Sequence, residues 1–154
     1  MLLYSPTEFL PDSLRAMQGV AMAKRQRVVY VIDDDESVRK SFARLLRSAD
    51  LESETFSSPD EFLSIGRQEK NACIIADVRM PGSTGFDLTE RLCASGIRIP
   101  VIVVSASDDV QIREYARELG AVAFFRKPVD DQALLDAIFW AISGVKKNGK
   151  SSDQ

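Results

Sequence analysis

Three consecutive carboxylates, Asp33, Asp34 and Asp35, stand directly after the apolar run Val28–Ile32. A fourth, Asp77, closes the run Ala72–Ala76. Ser105 follows Pro100–Val104, and Lys127 with Pro128 follows Ala121–Phe125. Carboxylates gathered without countercharge repel one another, and one or more has its pKa raised. A hard cation resolves that repulsion, and an all-oxygen donor set suits Mg²⁺, which keeps open positions for waters and phosphate oxygens. Lys127 offers a point charge to a phosphoryl oxygen and Ser105 a hydrogen-bond donor to another. A carboxylate can also be the nucleophile, forming an acyl phosphate. Phosphoryl transfer asks mainly for in-line positioning and charge neutralisation, and this set supplies both. The chain has no His, which removes His-based acid–base catalysis, His ligation of metals and His phosphorelay chemistry within it.

These residues act together only if the fold brings them to one place. Val28–Ile32 is a short β-branched run of the kind found in buried strands. Glu36–Ala49 carries Val38, Phe42, Leu45 and Leu46 on one helical stripe. Leu51–Phe56 reads as a weaker second strand. Ser58, Pro59, Asp60 and Glu61 combine a cap, a proline at the first helical position and first-turn acids, which starts a helix; Phe62, Leu63 and Ile65 follow. Ala72–Ala76 is a third strand, and the loop Met80–Gly85 leads into a helix with Phe86, Leu88 and Leu92. Pro100–Val104 is the fourth strand, Asp108–Leu119 a helix closed by Gly120, and Ala121–Phe125 the fifth strand. Asp130–Ile142 is a last helix, expected to end at Gly144. Strands alternating with helices imply right-handed crossovers and a parallel sheet covered on both faces. In such sheets the site lies beyond the carboxyl ends of the strands, where the strand order reverses. The Asp33–Asp35 cluster, Asp77, Ser105 and Lys127 all fall there.

Composition bounds the rest. The 154 residues suffice for one domain with a full core. The 45% hydrophobic and 28% charged fractions are those of an ordinary globule. No apolar run approaches the roughly 20 residues of a membrane span, and no secretory signal opens the chain. Cys73 and Cys93 read as reduced, buried thiols, so a cytoplasmic location is expected. Between Val28 and Ser143 there are 20 Asp and Glu against 13 Lys and Arg; such an acidic core argues against this domain binding nucleic acid itself. The ends are basic, with Lys24, Arg25 and Arg27 before the core and Lys146, Lys147 and Lys150 after it.

The motifs Val-Ile-Asp-Asp-Asp at 31–35, Asp77 followed by Val-Arg-Met-Pro-Gly, Ser105-Ala106 after an apolar strand, and Lys127-Pro128 resemble the signature of the response-regulator receiver domain. Each motif alone is weak; four in order, each at a strand end, are specific. The resemblance spans about Val28–Ser143. It implies a flavodoxin-like, doubly wound (βα)5 fold with a five-stranded parallel sheet in the order 2-1-3-4-5. Asp77 would be phosphorylated by a sensor histidine kinase, and this signalling domain would carry self-phosphorylation and self-dephosphorylation chemistry rather than be an enzyme on a separate substrate. Asp33, Asp34, Asp77 and the backbone carbonyl of Arg79 would hold Mg²⁺, with Mn²⁺ as a substitute. Ser105 and Lys127 would bind the phosphoryl group, and Phe124 stands at the switch aromatic. Arg79 and Ser107, two positions beyond Asp77 and Ser105, would modulate the site. The Lys127–Pro128 bond would be cis. The face of the fourth helix, fifth strand and fifth helix would serve a homodimer or an output target. No membrane partner is implied.

Simpler roles compete at each position. Asp35 is read as a helix N-cap more readily than as a ligand, and Asp34 the reverse. Ser105 could only cap a turn, Lys127 could be a surface lysine, and Phe124 could be plain core. Val129 stands where the family often has Phe, a change of packing rather than chemistry. Residues 1–27 lie outside the resemblance; Phe9, Leu10, Leu14, Met17 and Val20 would make a short amphipathic helix after Pro11-Asp12, unless translation starts at Met22. Residues 144–154 read as a polar tail or the start of a linker. The pattern is similar to receivers of two-domain LuxR-type transcription regulators, so a missing output domain stays open. Two other classes remain. A haloacid-dehalogenase-like phosphatase would place its nucleophile after the first strand in an Asp-x-Asp-x-Thr context, whereas that strand here leads into Asp33-Asp34-Asp35-Glu36-Ser37. An interaction module with the fold and no chemistry would not bind Mg²⁺. No Gly-rich phosphate loop follows the first strand.

Overall fold

The computed structural model describes residues 27–65, 68, 70–78, 85–107 and 110–151. Expectations for residues 1–26, for Arg79 and the loop to Thr84, for Asp108 and for 152–154 lie outside the described residues.

The elements alternate as β1 (Val28–Ile32), α1 (Glu36–Ser48), β2 (Glu52–Phe56), α2 (Pro59–Leu63), β3 (Ala72–Asp77), α3 (Gly85–Ala94), β4 (Val101–Ser105), α4 (Val110–Glu118), β5 (Ala123–Arg126) and α5 (Asp131–Ser151). All four strand pairings are parallel, and the sheet order is 2-1-3-4-5. The order reverses between β1 and β3, whose register sets Ile32 opposite Ala76. Asp33, just past β1, and Asp77, the last residue of β3, therefore stand side by side.

Burial follows the sequence pattern. β1, β3 and β4 are buried along their whole lengths, as continuous apolar strands of a doubly covered sheet must be. Edge strand β2 is mostly exposed, with only Phe56 buried. One face packs Tyr30, Phe56, Phe62, Ile74, Leu88 and Val103, with the Phe62 ring 5.1 Å from Tyr30 and 5.3 Å from Phe56. The other packs Val29, Val31, Leu46, Ile75, Ile102, Leu134 and Ile138.

The helix starts are those the sequence encodes. Asp35 caps α1, its carboxylate accepting from the N–H of Ser37 at 2.9 Å and of Val38 at 3.4 Å. Ser58 caps α2, accepting from the Glu61 N–H at 3.1 Å, with Pro59 in the first turn. After α4 the chain turns at Gly120, whose φ of +89° is open to glycine and strained for other residues.

Two expectations are corrected. The last helix does not stop at Gly144 but continues to Ser151. A glycine inside a helix costs only about 1 kcal/mol, and the lysines that follow are good helix formers. Gly144 instead makes room for the half-exposed Trp140 one turn earlier: a Cβ there would lie 3.2 Å from the indole nitrogen. Both cysteines are free, as expected, but only Cys73 is buried; Cys93 is exposed on α3. Burial pushes the Cys73 thiol up to about 12.

Candidate functional site

The carboxyl ends of β1, β3, β4 and β5 converge on one cluster. Asp33 is buried, 1% exposed, and all four of its polar atoms are engaged. Its N–H donates to the Phe56 carbonyl at 3.0 Å, and its carbonyl accepts from Arg39 Nη1 at 2.6 Å. Oδ1 accepts from the Asp35 N–H at 2.9 Å and Oδ2 from Lys127 Nζ at 2.9 Å. Asp77, the last residue of β3, is also buried, and its Oδ2 accepts from the same ammonium at 3.1 Å. Lys127 is thus a bridge between the two strand ends, reached from just beyond β5.

Lys127 is placed by the backbone. Its N–H donates to the Ser105 carbonyl at 2.7 Å, and the Lys127–Pro128 peptide is cis. Burial alone would pull the ammonium down, but the hydrogen bond and charge of Asp33, followed by those of Asp77, outweigh it and raise its pKa. Ser105 ends β4 rather than following it and is fully buried; its Oγ accepts from the Ser107 N–H at 3.0 Å. Asp34 is exposed, yet one carboxylate oxygen each from Asp33, Asp34 and Asp77 lie within 4.8 Å of one another. Among the described residues the cluster brings three carboxylates to one amine, and the donor set is all oxygen. That combination fits a hard divalent cation, with Asp33, Asp34 and Asp77 as the residues able to hold it.

The remaining predicted residues divide. Asp35 faces the helix end: the Ser37 side-chain and backbone hydrogen bonds hold its carboxyl below the usual range, and it is the N-cap that the sequence suggested. Phe124 is half-buried on the face of β5 toward α4, packed into the core there with the Arg113 guanidinium 5.5 Å from its ring centre. Ser107 touches the site through its N–H to Ser105. Val129 packs into the core beneath α1 and α5 and, with Val38, Phe42, Leu45, Lys127 and Pro128, lines an open groove of about 700 Å³ beside the acidic cluster.

Sequence reading missed Arg39, whose guanidinium binds the Asp33 carbonyl. A signal was available: a cation near a helix N-terminus runs against the helix dipole, so it needs a specific acceptor.

Parallel strands in the order 2-1-3-4-5, with buried acids at the ends of β1 and β3 and a lysine beyond β5, define the class of protein. The sequence model of the response regulator receiver domain matches residues 29–139, and the chain belongs to that family. It is 39% identical over 125 residues to the transcriptional regulatory protein FixJ of Azorhizobium caulinodans, an alignment covering 81% of this chain and 59% of the relative. It is likewise 39% identical over 117 residues to the response regulator protein TodT of Pseudomonas putida, covering 76% of this chain and 52% of that protein. The chain therefore spans a little over half the length of these relatives. Among solved structures it is similar to the response regulator StyR, with a TM-score of 0.72 and 39% identity over 84% of this chain and 67% of that one. It is also similar to the FixJ-N crystal structure, with a TM-score of 0.71 and 33% identity over 76% of this chain and 94% of that one. Residues 29–139 are thus a receiver domain of the response-regulator kind, a signalling domain.

Proposed function

We propose that Asp77 is the phosphoacceptor and that residues 28–143 form the receiver unit. A carboxylate oxygen of Asp77 attacks phosphorus in line; the new P–O bond forms as the bond from phosphorus to the donor breaks, and the donor leaves with that electron pair. With a sensor histidine kinase as partner, the bond broken is P–N and the leaving group is the kinase imidazole. The observation that carries this reading is the Lys127 ammonium held 2.9 and 3.1 Å from the carboxylates of Asp33 and Asp77. It sits where an oxygen of a phosphoryl group on Asp77 would need a cation.

Mg²⁺ held by Asp33, Asp34, Asp77 and the Arg79 carbonyl would neutralise charge on the transferring group. Lys127 then exchanges a carboxylate for a phosphoryl oxygen. Ser105, whose oxygen accepts from Ser107 N–H, has its O–H to donate, and a move of this buried hydroxyl toward the phosphoryl group draws Phe124 inward. That shift biases a two-state surface on α4, β5 and α5, the face for a homodimer or an output target. Arg79 and Ser107 tune the lifetime of the acyl phosphate, which hydrolyses at the same site. The names of the relatives favour a transcriptional output, and a cytoplasmic location is in keeping with this reading. Among the described residues no helix is long and apolar enough to cross a membrane.

Intact mass after incubation with acetyl phosphate and Mg²⁺ tests this reading. The protein should gain one phosphoryl group, and a chelator should block the gain. Asp77→Asn should not gain it. Phosphorylation that persists in Asp77→Asn would remove Asp77 from the role.

A further inference from the structure

We infer that Arg39 is a positioning residue for the cation site, setting the geometry of Asp34 although it touches neither the cation nor the phosphoryl group. This rests on the reading of Asp33, Asp34 and Asp77 as the Mg²⁺ carboxylates.

Asp34 is the exposed member of the cluster and has no burial to fix it. The two peptides that flank it are held instead. The carbonyl of the preceding peptide, that of Asp33, accepts from Arg39 Nη1 at 2.6 Å. The N–H of the following peptide, that of Asp35, donates to Asp33 Oδ1 at 2.9 Å. Asp35 is pinned in turn as the N-cap of α1, and Arg39 lies one turn into that same helix. The loop is therefore closed into a small ring: helix α1 fixes Arg39, Arg39 fixes the 33–34 peptide, Asp33 fixes the 34–35 peptide, and Asp35 returns the chain to α1.

Placing a cation beside a cation site is unfavourable by charge alone. The arrangement makes sense if the gain in pre-organisation exceeds the repulsion. The two contributions have opposite signs when Arg39 is removed. Loss of positioning weakens Mg²⁺ binding, whereas loss of repulsion alone tightens it.

The test is the Mg²⁺ dissociation constant by titration calorimetry on the unphosphorylated full chain, for wild type, Arg39→Ala, Arg39→Lys and Arg44→Ala. Arg44, exposed on the same helix, controls for the charge removed. Partners that orient metal ligands typically contribute about 10–100-fold in affinity. Because Arg39 acts through a backbone carbonyl, about tenfold weaker binding is expected in Arg39→Ala, partial recovery in Arg39→Lys, and unchanged or slightly tighter binding in Arg44→Ala. Thermal melts in chelator, with Arg39→Ala still folding cooperatively well above the titration temperature, separate this from general unfolding. Unchanged or tighter Mg²⁺ binding in Arg39→Ala overturns the inference while leaving the cation site intact. A wild-type chain that binds no Mg²⁺ overturns the cation-site reading itself and this inference with it.

Discussion

The body of the sheet and its carboxyl edge are equally buried and opposite in energetics. Ile32 is 0% exposed and Asp33, the next residue, 1%; Ala76 is 0% and Asp77 7%; Val104 and Ser105 are both 0%. Within the strands burial stabilises, at roughly 25 cal/mol per Å² of apolar surface. One residue later the same burial opposes folding unless each polar group finds a partner. Lys127 and the backbone supply those partners at the edge, yet one ammonium serves two buried carboxylates. The edge is a place where the fold concedes stability to hold reactive groups, and the strands behind it supply the rigidity.

Substitutions on the two sides of this boundary should behave differently. The largest effect belongs to the body of the sheet. Ile102→Ala, at a fully buried position in β4, should lose about 2–5 kcal/mol in a urea melt, with phosphorylation preserved at temperatures where the protein stays folded. A loss under 1 kcal/mol would mean that this layer is not closely packed.

Lys127→Met comes next, because it leaves Asp33 and Asp77 facing each other. The cost should fall below the roughly 3–5 kcal/mol of breaking a fully buried pair, since the Lys127 side chain is 23% exposed. Its pH dependence has a definite sign. The folded pKa of Lys127 is raised, so its contribution is fully present below the unfolded value near 10.5 and is lost as pH rises through the folded value. The stability gap between wild type and Lys127→Met should therefore stay flat from pH 7 to about 10 and close above that. A gap that closes already between pH 7 and 9 would contradict the carboxylate partnership.

The smallest effect, and the one of opposite sign, is expected at Asp34. In chelator, Asp34→Asn should be as stable as wild type or more stable by up to about 1 kcal/mol, because it removes one exposed charge from a like-charged group. With Mg²⁺ the order should invert. A cation that binds only the folded chain at 100 times its dissociation constant adds about 2.7 kcal/mol, and Asp34→Asn should forgo most of it. Thermal melts with and without Mg²⁺ check both halves; equal Mg²⁺ stabilisation in the two proteins would remove Asp34 from the ligand set.

Much of this is legible in the amino-acid sequence alone. Continuous apolar runs at 28–32, 72–76 and 101–104 mark doubly covered strands because only such strands lack a polar face. The caps at Asp35 and Ser58 mark helix starts because the first N–H groups of a helix need acceptors. The end of α5 was misjudged for a related reason. Gly144 stops a helix only when the chain needs to turn, and here the helix runs on, with Gly144 leaving room for the Trp140 indole one turn earlier. Cys93 was misplaced because a cysteine's burial depends on which face of α3 it occupies, and that face is set by packing.

Sequence by itself determined the alternation of elements, the identity of the polar residue at each strand end and the excess of acid over base, because each depends on local pattern and composition. Only the tertiary structure decided that one ammonium bridges Asp33 and Asp77 and that Arg39 clamps the carbonyl between Asp33 and Asp34. Those outcomes depend on angstrom-scale distances between groups as much as 94 residues apart, which strand register and loop course set together.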